Sequence, residues 1–274
     1  MSREQLIRDR LADKQASVRA YADEIGVGPR GSERICAGLE VMFMAVLDDG
    51  EASRSRTMRL PGLRSQPLWD DQRELFPEVA ALEDNFEAIL AEYRALRDAE
   101  ALRRYTDASL VEAGTWGQLH LRVQGRVLDD NAAACPVTAR LLLDGGHRVG
   151  VTYFSAHAEG TRVRGHHGPG NYRVRCHLGL EVPARCGMKV GELSFRWRAG
   201  RCSLLDDSFF HEVWNDGPGA RVILLTDFWH PDLREEEIAV FERLMSDPSE
   251  RANELERAVL ASEQEVLPRG LWVG

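Results

Sequence analysis

No CxxC pair occurs in this chain, and its cysteines are odd in number: Cys36, Cys135, Cys176, Cys186 and Cys202. That spacing argues against a disulfide framework or a zinc ribbon and for a reducing cytosol. Positive charge is also scarce. Thirty-five Lys and Arg stand against 44 Asp and Glu, a net charge of −9. A general nucleic-acid binder would carry a basic footprint, so nucleic acid is not expected as a partner, although a local basic pocket is still allowed. Long apolar runs are missing as well. "VMFMAVL" at 41–47 is far short of the ~20 residues that span a bilayer. The opening "MSREQLIRDR" is charged at once and has no apolar signal region. A soluble, cytoplasmic protein without a membrane partner is the expectation. No internal repeat or low-complexity tract is visible.

Hydrophobic residues make up 43% and charged residues 29% of the 274, enough for a sizeable core in one large domain or two smaller ones. Residues 3–25 place Leu6, Leu11, Val18, Tyr21 and Ile25 at helical spacing, and "GVGPRGS" (26–32) is expected to break that helix. Residues 35–47 are apolar, and periodicity does not decide between helix and strand. "DDGEASRSRT" (48–57) reads as a polar loop, 60–71 as an irregular proline-punctuated segment, and 76–97 as helix. From about residue 115 the period changes to two. "WGQLHLRVQG", "VGVTYFSAH", "YRVRCHLGLEVP", "MKVGELSFRWRAG" and "ARVILLTDFW" are short strand candidates separated by turn residues, with a brief helix at 136–144. Such a run predicts an antiparallel sandwich or barrel. After "HPDL" (230–233), "REEE" opens a helix whose acidic first turn suits the dipole, and helical patterning continues to about 265 with a break at 246–250.

One stretch carries chemistry: "RGHHGPGNYRVRCHLGL" (164–180). Alternation puts Val174, Cys176, Leu178 and Leu180 on one face of a strand and Arg173, Arg175, His177 and Gly179 on the other. If that second face lined a barrel, its charges would need anionic partners. His166 and His167 precede the strand across a "GPGN" turn. His211 opens another alternating segment in "LLDDSFFHEVWNDG" (204–217), where Asp206 and Asp207 read as turn or capping residues. Antiparallel strands of this length can bring two distant histidines to one end of a cavity, and neutral imidazoles bind iron, zinc and copper. By themselves these residues point to a histidine-based metal site beside an anion clamp. Solvated histidines and surface arginines are the plainer alternative.

The sequence also resembles a known family. "HHGPGNYRVRCHLGL", "DDSFFHEVW" (206–214) and "TDFWHPDL" (226–233), with "TWGQLHLRVQG" (115–125), "CPVTARLL" (135–142) and "SAHAEGTRVRGHHG" (155–168) upstream, resemble, in order, segments of the aspartyl/asparaginyl β-hydroxylases. Those are iron(II)- and 2-oxoglutarate-dependent dioxygenases. The resemblance covers roughly 60–234. It implies a mainly β fold with flanking helices, built on a double-stranded β-helix (jelly-roll or cupin-like) core. Residues 1–59 would form an N-terminal helical segment, 60–234 the oxygenase domain with a helical lead-in over 60–110, and 235–274 a C-terminal helical segment. His166 and His211 would bind iron. His167 falls where the family usually has threonine. Arg221 would pair with a 2-oxoglutarate carboxylate beside Ser155, with Trp116, Arg175 and His177 as further cosubstrate contacts. Arg173 would face the substrate's own carboxylate. The usual third-ligand position is Gly168, so water would complete the iron site. The rivals are a nearby carboxylate, Asp206 or Asp207, and His167. The implied reaction consumes 2-oxoglutarate and O2, releases succinate and CO2, and hydroxylates an unactivated carbon, by family precedent the β-carbon, of an Asp- or Asn-like residue. That residue could be free, carrier-bound or in a peptide, and natural-product tailoring fits a soluble form. The same chemistry on a lipid or acylated amino acid, marked by an apolar groove, and a non-catalytic β-core binding protein are the alternatives. The helical segment 1–59 would be a substrate-facing cap or a dimer contact.

Overall fold

Period-two patterning becomes strand wherever the sequence carries it, because each strand has one face to bury. The computed structural model describes residues 1–48, 57–105, 107–144, 149–247 and 265–272. Among the described residues the α-helices, numbered in chain order, are α1 Arg3–Glu24, α2 Gly28–Asp48, α3 Glu78–Asp84, α4 Phe86–Asp98, α5 Asp129–Ala133, α6 Pro136–Leu142 and α7 Glu235–Ser246. The strands are β1 Arg103–Arg104, β2 Val111–Ala113, β3 Trp116–Val123, β4 Arg126–Val127, β5 Val151–His157, β6 Thr161–His166, β7 Arg173–Glu181, β8 Cys186–Val190, β9 Leu193–Phe195, β10 Cys202–Leu205, β11 His211–Asn215 and β12 Arg221–Trp229.

The larger sheet runs β1-β3-β5-β12-β7-β10, with β4 on β3, and the smaller runs β2-β6-β11-β8-β9. From β5 onward the chain passes back and forth between the sheets, which is the winding of a double-stranded β-helix. Val163, Met188 and Val190 of the smaller sheet meet Tyr153, Ile223 and Leu225 of the larger in one apolar layer. The other face of the larger sheet, with Phe154, Cys176, Leu178 and Leu224, is covered by Leu82, Ile89 and Tyr93 of α3 and α4. The mainly β architecture with flanking helices is therefore as expected.

Local boundaries differ. The break after α1 is confined to 25–27, and Gly28–Ser32 belong to α2. Gly31 is needed there, since a Cβ would lie 2.8 Å from the Glu236 carbonyl oxygen of α7. Residues 35–47 are helix, because α2 packs Ile35 and Cys36 against Val18 of α1 and Val240 of α7. The 76–97 helix is two helices: Asn85 turns its side-chain amide onto the Ala81 carbonyl (2.8 Å) at the junction. "MKVGELSFRWRAG" yields two strands around Gly191 at φ +57°. Most of the 48–57 loop and the helical patterning beyond 247 lie outside the described residues.

Candidate active site

His166 ends β6 and His211 begins β11, and the two are direct cross-strand partners. Their ring centroids lie 4.2 Å apart. Each ring is held by its own chain: His166 Nδ1 lies 2.8 Å from the Arg164 carbonyl oxygen, and His211 Nδ1 lies 2.9 Å from that of Phe209. A carbonyl only accepts, so both Nδ1 atoms carry the proton and both Nε2 atoms keep a lone pair. Burial, with His166 beside it, pushes His211 down to about 3, and burial likewise lowers His166. Both imidazoles are neutral at pH 7, the state a metal requires.

His167, next along the chain, turns Nδ1 to the Ser208 carbonyl (2.9 Å) and its ring edge to Phe210. Gly168 follows, with no side chain for a third ligand. A Cβ there would lie 2.6 Å from Asp207 Oδ1, so the Asp207 carboxylate occupies the space such a side chain would need. Among the described residues no group of three or more His, Cys, Asp or Glu is arranged to hold a metal. The donor set thus fits an ion held by two imidazoles with its remaining positions left to solvent or small ligands. The 168–171 turn is fixed from the N-terminal side: Asn171 exchanges two hydrogen bonds with the Leu60 backbone (2.8 and 3.1 Å), and Thr57 Oγ1 donates to the Gly168 carbonyl (2.9 Å).

A cavity of about 60 Å³ runs from the histidine pair into the barrel, lined by Trp116, Ser155, His157, His177 and Arg221 among others. Strand alternation delivers these groups: β5 places Ser155 and His157 inward, β7 His177, and β12 Arg221. Arg221 is 1% exposed and makes no salt bridge among the described residues. Its guanidinium donates to His157 and reaches Ser155 Oγ at 3.5 Å, and it lies 4.6 Å from the Trp197 ring centroid. Its Nε is buried without a partner. Burial pushes Arg221 down to about 10. Trp116 Nε1 donates to Ser155 Oγ (3.0 Å), and Tyr105 stacks on Trp116 at 3.5 Å. Trp197 Nε1 donates to His177 Nδ1 (3.2 Å), so neutral His177 carries its proton on Nε2, which is buried and unpartnered. One end of the cavity therefore offers lone pairs to a cation. The other offers a cation and donors to an anion.

Arg173 and Arg175 are arranged differently. Arg173 donates to Asp227 Oδ2 (2.8 Å) and Asp207 Oδ2 (2.9 Å). Arg175 pairs with Asp207 Oδ2 (2.8 Å) and Asp227 Oδ1 (2.8 Å). Two cations and two carboxylates close on themselves. Burial alone would raise Asp207, but Arg173 and Arg175 hold it well below the carboxylate range. Arg175 lines the 60 Å³ cavity and also an adjoining pocket of about 160 Å³ that contains His166, His167, Arg173 and Asp207. All eight site residues expected from sequence thus lie around these two connected pockets. Sequence reasoning missed Asp227, His157 and Tyr105, and it gave Asp207 a turn role or that of a rival third ligand, not that of partner to Arg173 and Arg175. Asp227 was within reach, since "RVILLTDFW" puts Arg221, Ile223, Leu225 and Asp227 on one face.

Residues 83–231 match the family model of the Aspartyl/Asparaginyl beta-hydroxylase. The chain belongs to that family. It is 36% identical over 216 residues to Aspartate beta-hydroxylase domain-containing protein 2 of Xenopus tropicalis, covering 74% of this chain and 58% of that protein. It is 37% identical over 179 residues to the Aspartyl/asparaginyl beta-hydroxylase of Homo sapiens, covering 63% of this chain and 24% of that protein. The chain spans about three fifths of the length of the relatives it matches over the longest stretch. Among solved structures it is similar to an oxidoreductase of the 2OG-Fe(II) oxygenase family from Burkholderia pseudomallei, at 12% identity and a TM-score of 0.37, covering 52% of this chain and 78% of that chain. In this β-hydroxylase family member both histidines and the unpaired arginine fall inside the matched region. Among the described residues no helix is long and apolar enough to cross a membrane.

Proposed function

We propose that this chain is an iron(II)- and 2-oxoglutarate-dependent hydroxylase acting on an amino-acid residue of Asp or Asn type. The observation that carries the reading is the pairing of two fixed-tautomer imidazoles with a buried arginine that lacks a carboxylate partner, all lining one cavity. His166 and His211 would hold the iron, which when bound supplies the redox chemistry that activates O2. Arg221 supplies a charge-assisted contact to the far carboxylate of 2-oxoglutarate. Ser155 and the Nε2–H of His177 add donors, and Trp116 fixes Ser155. The neutral state of all four cavity imidazoles keeps protons from competing with the metal or repelling Arg221. Asp207 Oδ1, buried without a hydrogen bond, would be free to accept from a water beside the histidine pair, while Oδ2 stays tied to the arginines.

The substrate would present its Asp- or Asn-type head free, peptidyl, carrier-bound or acylated, in a tailoring role. Five buried free thiols support a reducing, cytoplasmic setting. Anaerobic titration of the apo-protein with iron(II) and 2-oxoglutarate tests the reading. A weak visible charge-transfer band at one equivalent of each is expected, abolished by His211→Ala and retained by His167→Ala. No band from a folded protein sinks the proposal, and equal loss in both variants overturns the ligand assignment.

A further inference from the structure

A chamber of about 300 Å³ lies where α1, α2 and α7 meet the end of the barrel. Its walls include Val18 of α1, Leu39 and Met42 of α2, and Phe241 and Leu244 of α7. Three thioethers, Met42, Met58 and Met245, line it and give walls that repack around flexible guests. The chamber adjoins the pocket in front of His166 at two places. Gln124 lines both. It sits at φ +48°, a left-handed conformation that non-glycine residues seldom adopt, with its N–H on the Gly150 carbonyl (2.8 Å). On the other side, Met58 faces the chamber while its N–H donates to the carbonyl of Pro169 (2.8 Å), which lines the pocket.

Wall chemistry selects the guest. A peptide chain entering the chamber would bury amides against hydrocarbon with few partners, at a cost that a methylene chain does not incur. The volume corresponds to about ten water-sized units, hence a chain of roughly ten carbons. We propose that the substrate is an amino acid carrying one acyl chain. Its head and reacting carbon sit in the His166 pocket, and its chain passes Gln124 into the chamber. This rests on the hydroxylase reading for the head and gives α1 and α2 the role of an acyl-chain cap.

The test is equilibrium binding to the iron-free full-length chain, using N-acetyl-, N-hexanoyl-, N-decanoyl- and N-tetradecanoyl-L-aspartate. Affinity should rise roughly threefold to fourfold per added methylene and level off near the decanoyl chain. Met42→Trp, which fills the chamber, should erase most of the decanoyl advantage. If that variant does not fold, a diazirine-bearing N-decanoyl-L-aspartate on the unaltered chain should label α1, α2 or α7. Affinity independent of chain length, or labelling confined to other elements, overturns the proposal. Because no iron or 2-oxoglutarate is present, a missing charge-transfer band refutes the hydroxylase reading alone. A normal band with flat chain-length dependence refutes the acyl chamber alone.

Discussion

Arg221 and the Arg173–Arg175 pair lie on neighbouring strands of one sheet, and all are largely withdrawn from water, yet their charges are met in opposite ways. Arg173 and Arg175 share Asp207 and Asp227 in a closed set of salt bridges. Arg221 has an imidazole, a hydroxyl and an indole face. A compensated cation is part of the scaffold. An uncompensated one keeps its charge available, which is what the proposed cosubstrate role of Arg221 would use. The contrast separates arginines neutralised within the walls of the site from the one that is not, and strand alternation alone makes them look alike.

The sharpest way to break that comparison is Arg173→Met. It leaves two carboxylates sharing Arg175, and the unfolding free energy should fall by about 3–5 kcal/mol, read by urea denaturation. Arg221→Met should move the other way without ligand, gaining about 1–4 kcal/mol because an apolar chain replaces a buried unpaired ion. The same variant should raise the apparent 2-oxoglutarate requirement at least thirtyfold, about 2 kcal/mol or more, with little change in that for the prime substrate. If Arg221→Met is destabilised as much as Arg173→Met, the distinction fails. Gly168→Ala should cost about 1–3 kcal/mol by pressing a methyl group onto the Asp207 carboxylate. A neutral melting shift would mean that Asp207 moves freely and is available as a ligand.

The smallest effect is in pH. Burial pushes His120 and His211 down to about 3, whereas an unfolded imidazole takes up a proton below about 6.5. Below that value the unfolded chain binds more protons, so stability is full above about pH 6.5 and falls as the pH drops toward 3. His120→Phe, on a ring stacked against Tyr153 and outside the histidine pair, should flatten the slope by one proton. That is about 1.4 kcal/mol per pH unit, measured from melting curves between pH 4 and 6.

Much of the site was legible because alternation along a strand reports which face a residue takes. It put Arg173, Arg175 and His177 together, and the order of motifs added His166, His211 and Arg221. What alternation does not report is register. That Asp227 of β12 lies opposite Arg175 of β7 depends on how far one strand slides along the other, and nothing local encodes that. The anionic partner demanded by the buried arginines was foreseeable, but its identity was not. The same limit hid the contact of His157 with Arg221, which are paired across β5 and β12. For residues 35–47 the ambiguity had another cause: α2 is apolar on more than one side because α1 and α7 both pack on it.

His166 and His211 face each other only because β6 and β11 pair in one register, with an irregularity just beyond His211. The site is therefore a sum of distant choices, and no short peptide cut from the chain would carry it. On the proposed reading, metal affinity would report finished topology: a chain whose smaller sheet has not yet zipped would have no address for the ion, and binding would favour the zipped form by mass action. A substitution far from either histidine that slides β11 by one residue would silence the site while leaving every ligand in the sequence.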